Sequence, residues 1–433
     1  MVSRFFKDKA TEKLIGEGIR AEHLNDDILA KTLDQIHEFG QTKLFAEIAY
    51  EIATNHACLN RYRRIDTTSF KVEGEYENHP ISHTGCEQMS ENKKVLQIVH
   101  GFSKDGRPDL KQLMLSLVMS GESDLPIWME SQNGNSSDKV SFHETIANVR
   151  EFEKNLDLAP SIWIADSALY TKERLLKQEN DFNWICRVPE TLKEAKVLVG
   201  KEIKEEEWQE YEEDHSYHFL QIEEEIEGVK QRWILVRSKY AQQKEEETFR
   251  KNIKKELEAF KKELNKLSSQ VFDCQNDALN HIQTIIKKQK KFEINFKIEE
   301  VKRFAKKGRP SKKEVPISIG YCVIAQAIIG EKFYNQALLT KGRFILATNE
   351  MDPLKLTSGE ILKEYKNQQS PERGFRFLKD PYFIAGEVYL KKPERIEALL
   401  CVMVLCLLVY HFAQNRLIPN ARNNLINSHD KMS

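Results

Sequence analysis

The segment SIWIAD, residues 161–166, is a short buried-type strand that ends on a carboxylate. An earlier segment, RRIDTTSFKV (63–72), alternates as a strand does and carries Asp66 in its interior. Working outward, KVLQIV (94–99) and LMLSLV (113–118) read as the arms of a hairpin around HGFSKDGRPDLKQ (100–112), with Asp105 and Gly106 as its turn signal. PIWM (126–129) adds a strand, residues 139–155 a helix, Leu169 to Lys177 another, and NWICRV (183–188) a further strand. Hairpins first, then strand–helix–strand, predict a mixed α/β sheet with flanking helices.

Around this core the organisation changes. Residues 1–58 read as a helical region, with Leu24, Ile28, Leu29, Leu33 and Ile36 at helical spacing and no evident chemistry. The core's first part covers 59–191. Residues 192–343 read as a large insertion, acidic over 202–227, with strand-like pieces at 216–222 and 231–238. Phe249, Ile253, Leu257, Phe260, Leu264, Leu267 and Val271 follow a heptad-like seam, and Leu279, Ile282 and Ile286 mark a second helix that completes a helical hairpin. Strands at 292–298 and 316–325 close the insertion. The core's second part, 344–415, holds a strand (FILATN), a capping-box signature at Thr357–Glu360 and an apolar helix; residues 416–433 form a tail. The apolar run Ala398–Tyr410 is thirteen residues, short of the roughly 20 that span a bilayer, and predicts a buried core helix.

Composition narrows the function. The 433 residues hold 66 Lys plus Arg against 67 Asp plus Glu, so the whole chain is no basic nucleic-acid glove and any such site needs local charge segregation. One segregated stretch exists, from Lys287 to Lys313. Its core, KKGRPSKK (306–313), reads either as a solvated basic loop or as a resemblance to an AT-hook, in which Arg309 would enter a narrow minor groove between Lys306, Lys307, Lys312 and Lys313. Seven widely spaced cysteines with no C-x-x-C argue against a disulfide framework or a cysteine zinc site and fit a cytoplasmic chain. The N-terminus has no apolar signal region.

Two carboxylates stand out because a charge inside or at the end of a buried strand is costly unless paired or metal-bound: Asp66 and Asp166. A third emerges from spacing. Tyr365, Gln368, Glu372, Arg376 and Lys379 are separated by three, four, four and three residues, and in one helix they fall on a stripe roughly 80° wide. Such a stripe is commonly a solvated face. Here it lies between core elements with aromatics interleaved, and a carboxylate flanked by cations suits a site that holds a metal and clamps a phosphate. His83 and His100 show no metal-ligand spacing, and Asp105 and Asp109 read as turn and cap residues beside Arg107, a candidate phosphate contact.

The ordered set resembles insertion-sequence transposases of the DDE class, in the subgroup marked by Tyr-x2-Arg-x3-Glu-x6-Lys around the last acid. This chain reads Tyr365-x2-Gln368-x3-Glu372-x6-Lys379, with Asp66 and Asp166 matching the two Asp-bearing strands. The resemblance implies an RNase H-like core interrupted by the insertion. It implies two Mg²⁺ ions (or Mn²⁺) held by Asp66, Asp166 and Glu372. Its partners would be DNA, as element ends and target, and a second copy of the chain in the DNA complex. Tyr365, Gln368, Arg376 and Lys379 would contact the DNA strand. The implied setting is bacterial-type cytoplasm, at the nucleoid. Gln368 departs from the subgroup's Arg, and Pro371, before Glu372, predicts a helix break at 370 with Ser370 as N-cap. These departures leave two rivals: a non-catalytic DNA-binding derivative, and a nuclease without strand transfer.

Overall fold

The structure is a computed structural model; it describes residues 2–72, 74, 76, 96–102, 106–121, 123–171, 182–226, 228–303, 318–380 and 390–429. In chain order the helices are α1 (Val2–Phe6), α2 (Thr11–Leu14), α3 (Asp26–Phe39), α4 (Gln41–Asn55), α5 (Asp138–Asn155), α6 (Lys193–Val199), α7 (Lys239–Leu267), α8 (Gln275–Lys288), α9 (Glu331–Leu339), α10 (Ser358–Lys366), α11 (Gln369–Leu378) and α12 (Pro393–His429). The strands are β1 (Tyr62–Val72), β2 (Lys111–Ser120), β3 (Pro126–Gln132), β4 (Ile162–Ala165), β5 (Asn183–Arg187), β6 (Gln209–Glu210), β7 (Tyr217–Ile226), β8 (Val229–Ser238), β9 (Phe292–Arg303), β10 (Ser318–Ile329) and β11 (Arg343–Thr348). The chain divides into two compact units. One comprises 1–187, 223–232 and 346–433; the other comprises 188–222 and 233–345.

In the first unit the strands run in the order β3-β2-β1-β4-β5-β11. β1, β2 and β3 pair antiparallel, β1, β4 and β5 parallel, and β5 and β11 antiparallel. An antiparallel meander joined through its first strand to two parallel strands is the RNase H-like arrangement. The parallel strands β4 and β5 read as continuous apolar runs because helices cover such sheets on both faces. Helix α4 packs on β3, and α12 packs against α3, α4, β3 and α11. Residues 1–58 therefore belong to this unit's packing. By length and composition the Pro393–Leu417 part of α12 could cross a membrane, and half of its 18-residue apolar core is buried in the protein.

Among the described residues the hairpin expected over 94–118 does not form as a ladder. β2 pairs with β1 along one edge and with β3 from Met114 to Met119 along the other, so residues 96–99 have no open edge there to extend along. Among the described residues a single bridge, Val99 to Gln112, joins them to β2. Gly101 and Gly134 permit that approach: a Cβ on Gly134 would lie 1.9 Å from the Gln112 carbonyl oxygen. Most of the helix expected at 169–177 lies outside the described residues.

The second unit contains β6, the first part of β7 (to Ile222), the second part of β8 (from Trp233) and the two-stranded ribbon β9–β10. The heptad-like seam packs on that ribbon. Ile253, Leu264 and Leu267 of α7, Ala278 and Ile282 of α8, and Phe292, Val323 and Ala325 of the ribbon form one buried cluster. Val271 follows the end of α7 at Leu267, so the helical seam is one position shorter than its spacing predicts.

Candidate active site

The parallel register places the two aspartates. β1 pairs β4 with Arg63 beside Trp163 and Arg64 beside Ile164; β4 pairs β5 with Ile164 beside Ile185 and Ala165 beside Cys186. The row Arg64–Ile164–Ile185, carried two residues onward, is Asp66–Asp166–Arg187. Side chains two apart share a face, and adjacent strands lie about 4.8 Å apart. By this register two carboxylates and a guanidinium fall in one row, Asp66 within β1 and Asp166 and Arg187 at the carboxyl ends of β4 and β5, the side of the sheet where open α/β sheets bind ligands.

Local hydrogen bonds fix the two acids. Asp66 Oδ1 accepts the Thr67 N–H at 2.7 Å. Asp166 Oδ1 accepts the Ala168 N–H at 2.8 Å, an Asx turn that ends β4. Turn-capping and exposure to a ligand thus coexist, since Asp166 remains exposed and Asp66 half-buried.

The helices α10 and α11 cover this face. Glu364 Oε2 accepts from Arg64 Nη2 at 2.6 Å, and Lys379 Nζ lies 5.6 Å from the ring of Phe70, four residues beyond Asp66 on the same strand face. The Thr357–Glu360 capping box forms as read and starts α10. Tyr365, one residue after Glu364, meets Asp166 and Arg187. Burial raises its phenol pKa, a hydrogen bond and the charge of Arg187 oppose that, and the Asp166 carboxylate adds to it. Burial, with Asp166 beside it, also pushes the Cys186 thiol up.

The single stripe from Tyr365 to Lys379 is split. α10 ends at Lys366 and α11 begins at Gln369, so the break falls at 367–368 and not at 370. Gln368, and not Ser370, is the N-cap, and its side chain makes no cap hydrogen bond. Pro371 then occupies the third position of α11, where its missing N–H has no helical acceptor to lose. Glu372 and Arg376 stay one turn apart and exposed, and Lys379 caps the end. Gly374 lets α11 approach closely: a Cβ there would lie 3.1 Å from Leu407 Cδ2 and 3.7 Å from Leu117 Cδ1. Among the described residues no group of three Asp, Glu, His or Cys side chains is close enough to hold a metal ion. The structure thus brings Asp66 and Asp166 together and places Glu372 on the neighbouring helix without closing the three into one ligand cluster.

Arg107 forms a fork with Asp109, Nη2 to Oδ2 at 2.7 Å and Nε to Oδ1 at 2.8 Å, which holds the Asp109 carboxyl down to about 2. His100 is exposed. His83, Asp105, Lys306, Lys307, Arg309, Lys312 and Lys313 lie outside the described residues.

A model described as a transposase DDE domain matches residues 63–409, which contain this whole arrangement. The chain belongs to that family. A second model, for a domain of unknown function, matches residues 1–50. No curated protein matches the chain. Among solved structures, a piggyBac transposase synaptic complex with hairpin DNA is 7% identical, covering 82% of this chain and 48% of that one at a TM-score of 0.32. A Mos1 transposase paired-end complex with left transposon end is 14% identical, covering 37% of this chain and 42% of that one at a TM-score of 0.17. The chain spans less than half the length of either.

In this DDE domain the sequence reading missed Arg187, although a signal was present. Trp-Ile-Ala-Asp at 163–166 and Trp-Ile-Cys-Arg at 184–187 are the same strand pattern ending in opposite charges, and the two stretches pair in register. It also missed Arg64, Asp124, Glu364 and Arg373, whose ion pairs join distant segments.

Proposed function

We propose that this DDE-family chain is a DNA transposase that cuts at element ends and joins the 3′-hydroxyl to target DNA. The observation that carries the reading is the parallel register of β1 and β4, Arg64 beside Ile164, which continued two residues sets Asp66 level with Asp166 just past β4. Their oxygen-only donor set fits Mg²⁺ or Mn²⁺, with Glu372 of α11 as the third carboxylate. Such ions, when bound, supply an activated water and stabilise the leaving oxygen of an in-line displacement.

The chain's own residues do the rest. Asp66 and Asp166, anchored by backbone N–H groups, present fixed carboxylates at the sheet edge. Tyr365 and Arg187 face them from α10 and β5 and would hold a backbone phosphate beside Asp166. Arg376 and Lys379 extend that positive edge along α11. The Tyr-Arg-Glu-Lys subgroup is part of this proposal, with Gln368 giving a neutral contact at the Arg position. DNA is the partner, a second chain copy joins in the complex, and the bacterial cytoplasm is the setting.

Glu372→Gln tests the third acid. Cleavage of a supercoiled plasmid bearing the element ends should fall at least about 100-fold, with DNA binding near wild type. Retained cleavage would remove Glu372 from the ligand set. The basic segment gives a separate test. Arg309→Ala should weaken binding to A·T-rich duplex selectively; equal loss on G·C-rich duplex would mark a generic charge contact.

A further inference from the structure

The guanidinium of Arg64 is buried, its side chain 1% exposed, and it is held by two carboxylates. Nη2 donates to Glu364 Oε2 at 2.6 Å and Nη1 to Asp124 Oδ1 at 2.8 Å. Asp124, in the turn between β2 and β3, also takes Arg373 Nη2 on Oδ2 at 2.5 Å. The backbone of Asp124 is left-handed, φ 50°, a conformation Asp tolerates better than most residues. His411 of α12 faces the same Asp124 and Arg373, and Asn415 Nδ2 donates to the Ser123 carbonyl at 2.5 Å. The turn is thus pinned from β1, α11 and α12.

The chain positions in this network are informative. Arg64 is two residues before Asp66 on the same strand face. Glu364 is the residue before Tyr365, and Arg373 the residue after Glu372. Glu364 and Arg373 each adjoin a side chain of the proposed site, Arg64 shares a strand face with Asp66, and Asp124 joins Arg64 to Arg373. We propose that Arg64 is a positioning residue: through Glu364 and the Asp124–Arg373 bridge it sets α10 and α11, and with them Glu372, against the strand that carries Asp66. This inference rests on the metal-ligand reading of Asp66 and Glu372.

The chemistry favours arginine for that task. A planar guanidinium presents several donors at fixed angles and can bind two carboxylates at once, whereas a lysine ammonium is a single point charge on a flexible stem. Groups that orient metal ligands commonly contribute about 10–100-fold in metal affinity or activity.

The test uses the full chain and two variants. Asp124→Asn weakens the arm to α11 and leaves the buried Arg64–Glu364 pair; Arg64→Lys removes the fork itself. Mn²⁺ binding is read from the electron paramagnetic resonance signal of the free ion, and plasmid nicking is measured against Mg²⁺ concentration. In Asp124→Asn the half-saturating Mn²⁺ concentration should rise about tenfold. Nicking should fall at low Mg²⁺ and recover at high Mg²⁺, with circular dichroism and DNA binding unchanged. Unaltered Mn²⁺ affinity, or nicking that falls only with the folded fraction, would overturn the proposal. If Arg64→Lys does not fold, Asp124→Asn decides alone. Failure of the underlying reading looks different: wild type itself would not nick with metal, or Glu372→Gln would nick as well as wild type.

Discussion

Asp166→Asn should bring metal-dependent nicking of a supercoiled plasmid below detection while the protein stays folded and bound to DNA. Asparagine keeps a side-chain oxygen where Asp166 accepts the Ala168 N–H at 2.8 Å, so the turn that ends β4 survives. What disappears is one of two carboxylates level at the sheet edge. A neutral amide oxygen is a far poorer ligand for a hard dication than a carboxylate. Asp166→Ala removes the turn acceptor as well and should cost a further 1 kcal/mol or so of stability. The pair of variants separates chemistry from folding: both should be inactive, and only the alanine should lower the melting temperature measurably. Nicking by Asp166→Asn at a rate near wild type, in Mg²⁺ or Mn²⁺, would remove this aspartate from the ligand set.

Much of this edge was legible because it is local. A carboxylate that ends an apolar run identifies Asp166, and one inside an alternating strand identifies Asp66, without knowledge of which strands pair. The capping box is legible for the same reason, since Thr357 and Glu360 satisfy one another within a single turn at 3.1 Å and 2.9 Å. What escaped depends on pairing. Residues 94–99 have strand composition, but β2 is already paired with β1 on one edge and with β3 from Met114 to Met119 on the other, which no local pattern reveals. The break before Pro371 came two residues earlier than a cap rule places it, because proline is tolerated throughout the first turn. Arg64 and Glu364 are 300 residues apart, and neither has a neighbour in sequence that hints at the other. Arg187 lay between these cases. Its strand pattern was visible beside that of Asp166, but its meaning required the register of β4 against β5.

Glu153→Ala should cause a large loss of stability. Glu153 on α5 accepts three hydrogen bonds: from Tyr50 Oη of α4 at 2.8 Å, from Arg63 Nε of β1 at 2.6 Å, and from Ser161 Oγ before β4 at 2.8 Å. The Arg63 and Glu153 side chains are 2% and 5% exposed. Burial and the adjacent carboxylate hold the Tyr50 phenol well above its ordinary pKa, so it donates across the accessible pH range. Alanine would leave the Arg63 guanidinium buried without its counter-ion, with the Asn60 and Tyr62 carbonyls as remaining acceptors. Breaking a buried pair this way costs about 3–5 kcal/mol, whereas replacing both partners with apolar side chains of similar volume is often neutral. Arg63→Met combined with Glu153→Leu should therefore recover most of the urea midpoint lost in Glu153→Ala. A single variant within about 1 kcal/mol of wild type would show that the pair contributes little. The same proteins control the catalytic argument. Arg63 lies three residues before Asp66 on β1, yet its side chain points to the opposite face, so nicking per folded molecule should be unchanged in the double variant. A loss there would mean that the register of β1 against β4, and not only its stability, depends on this pair.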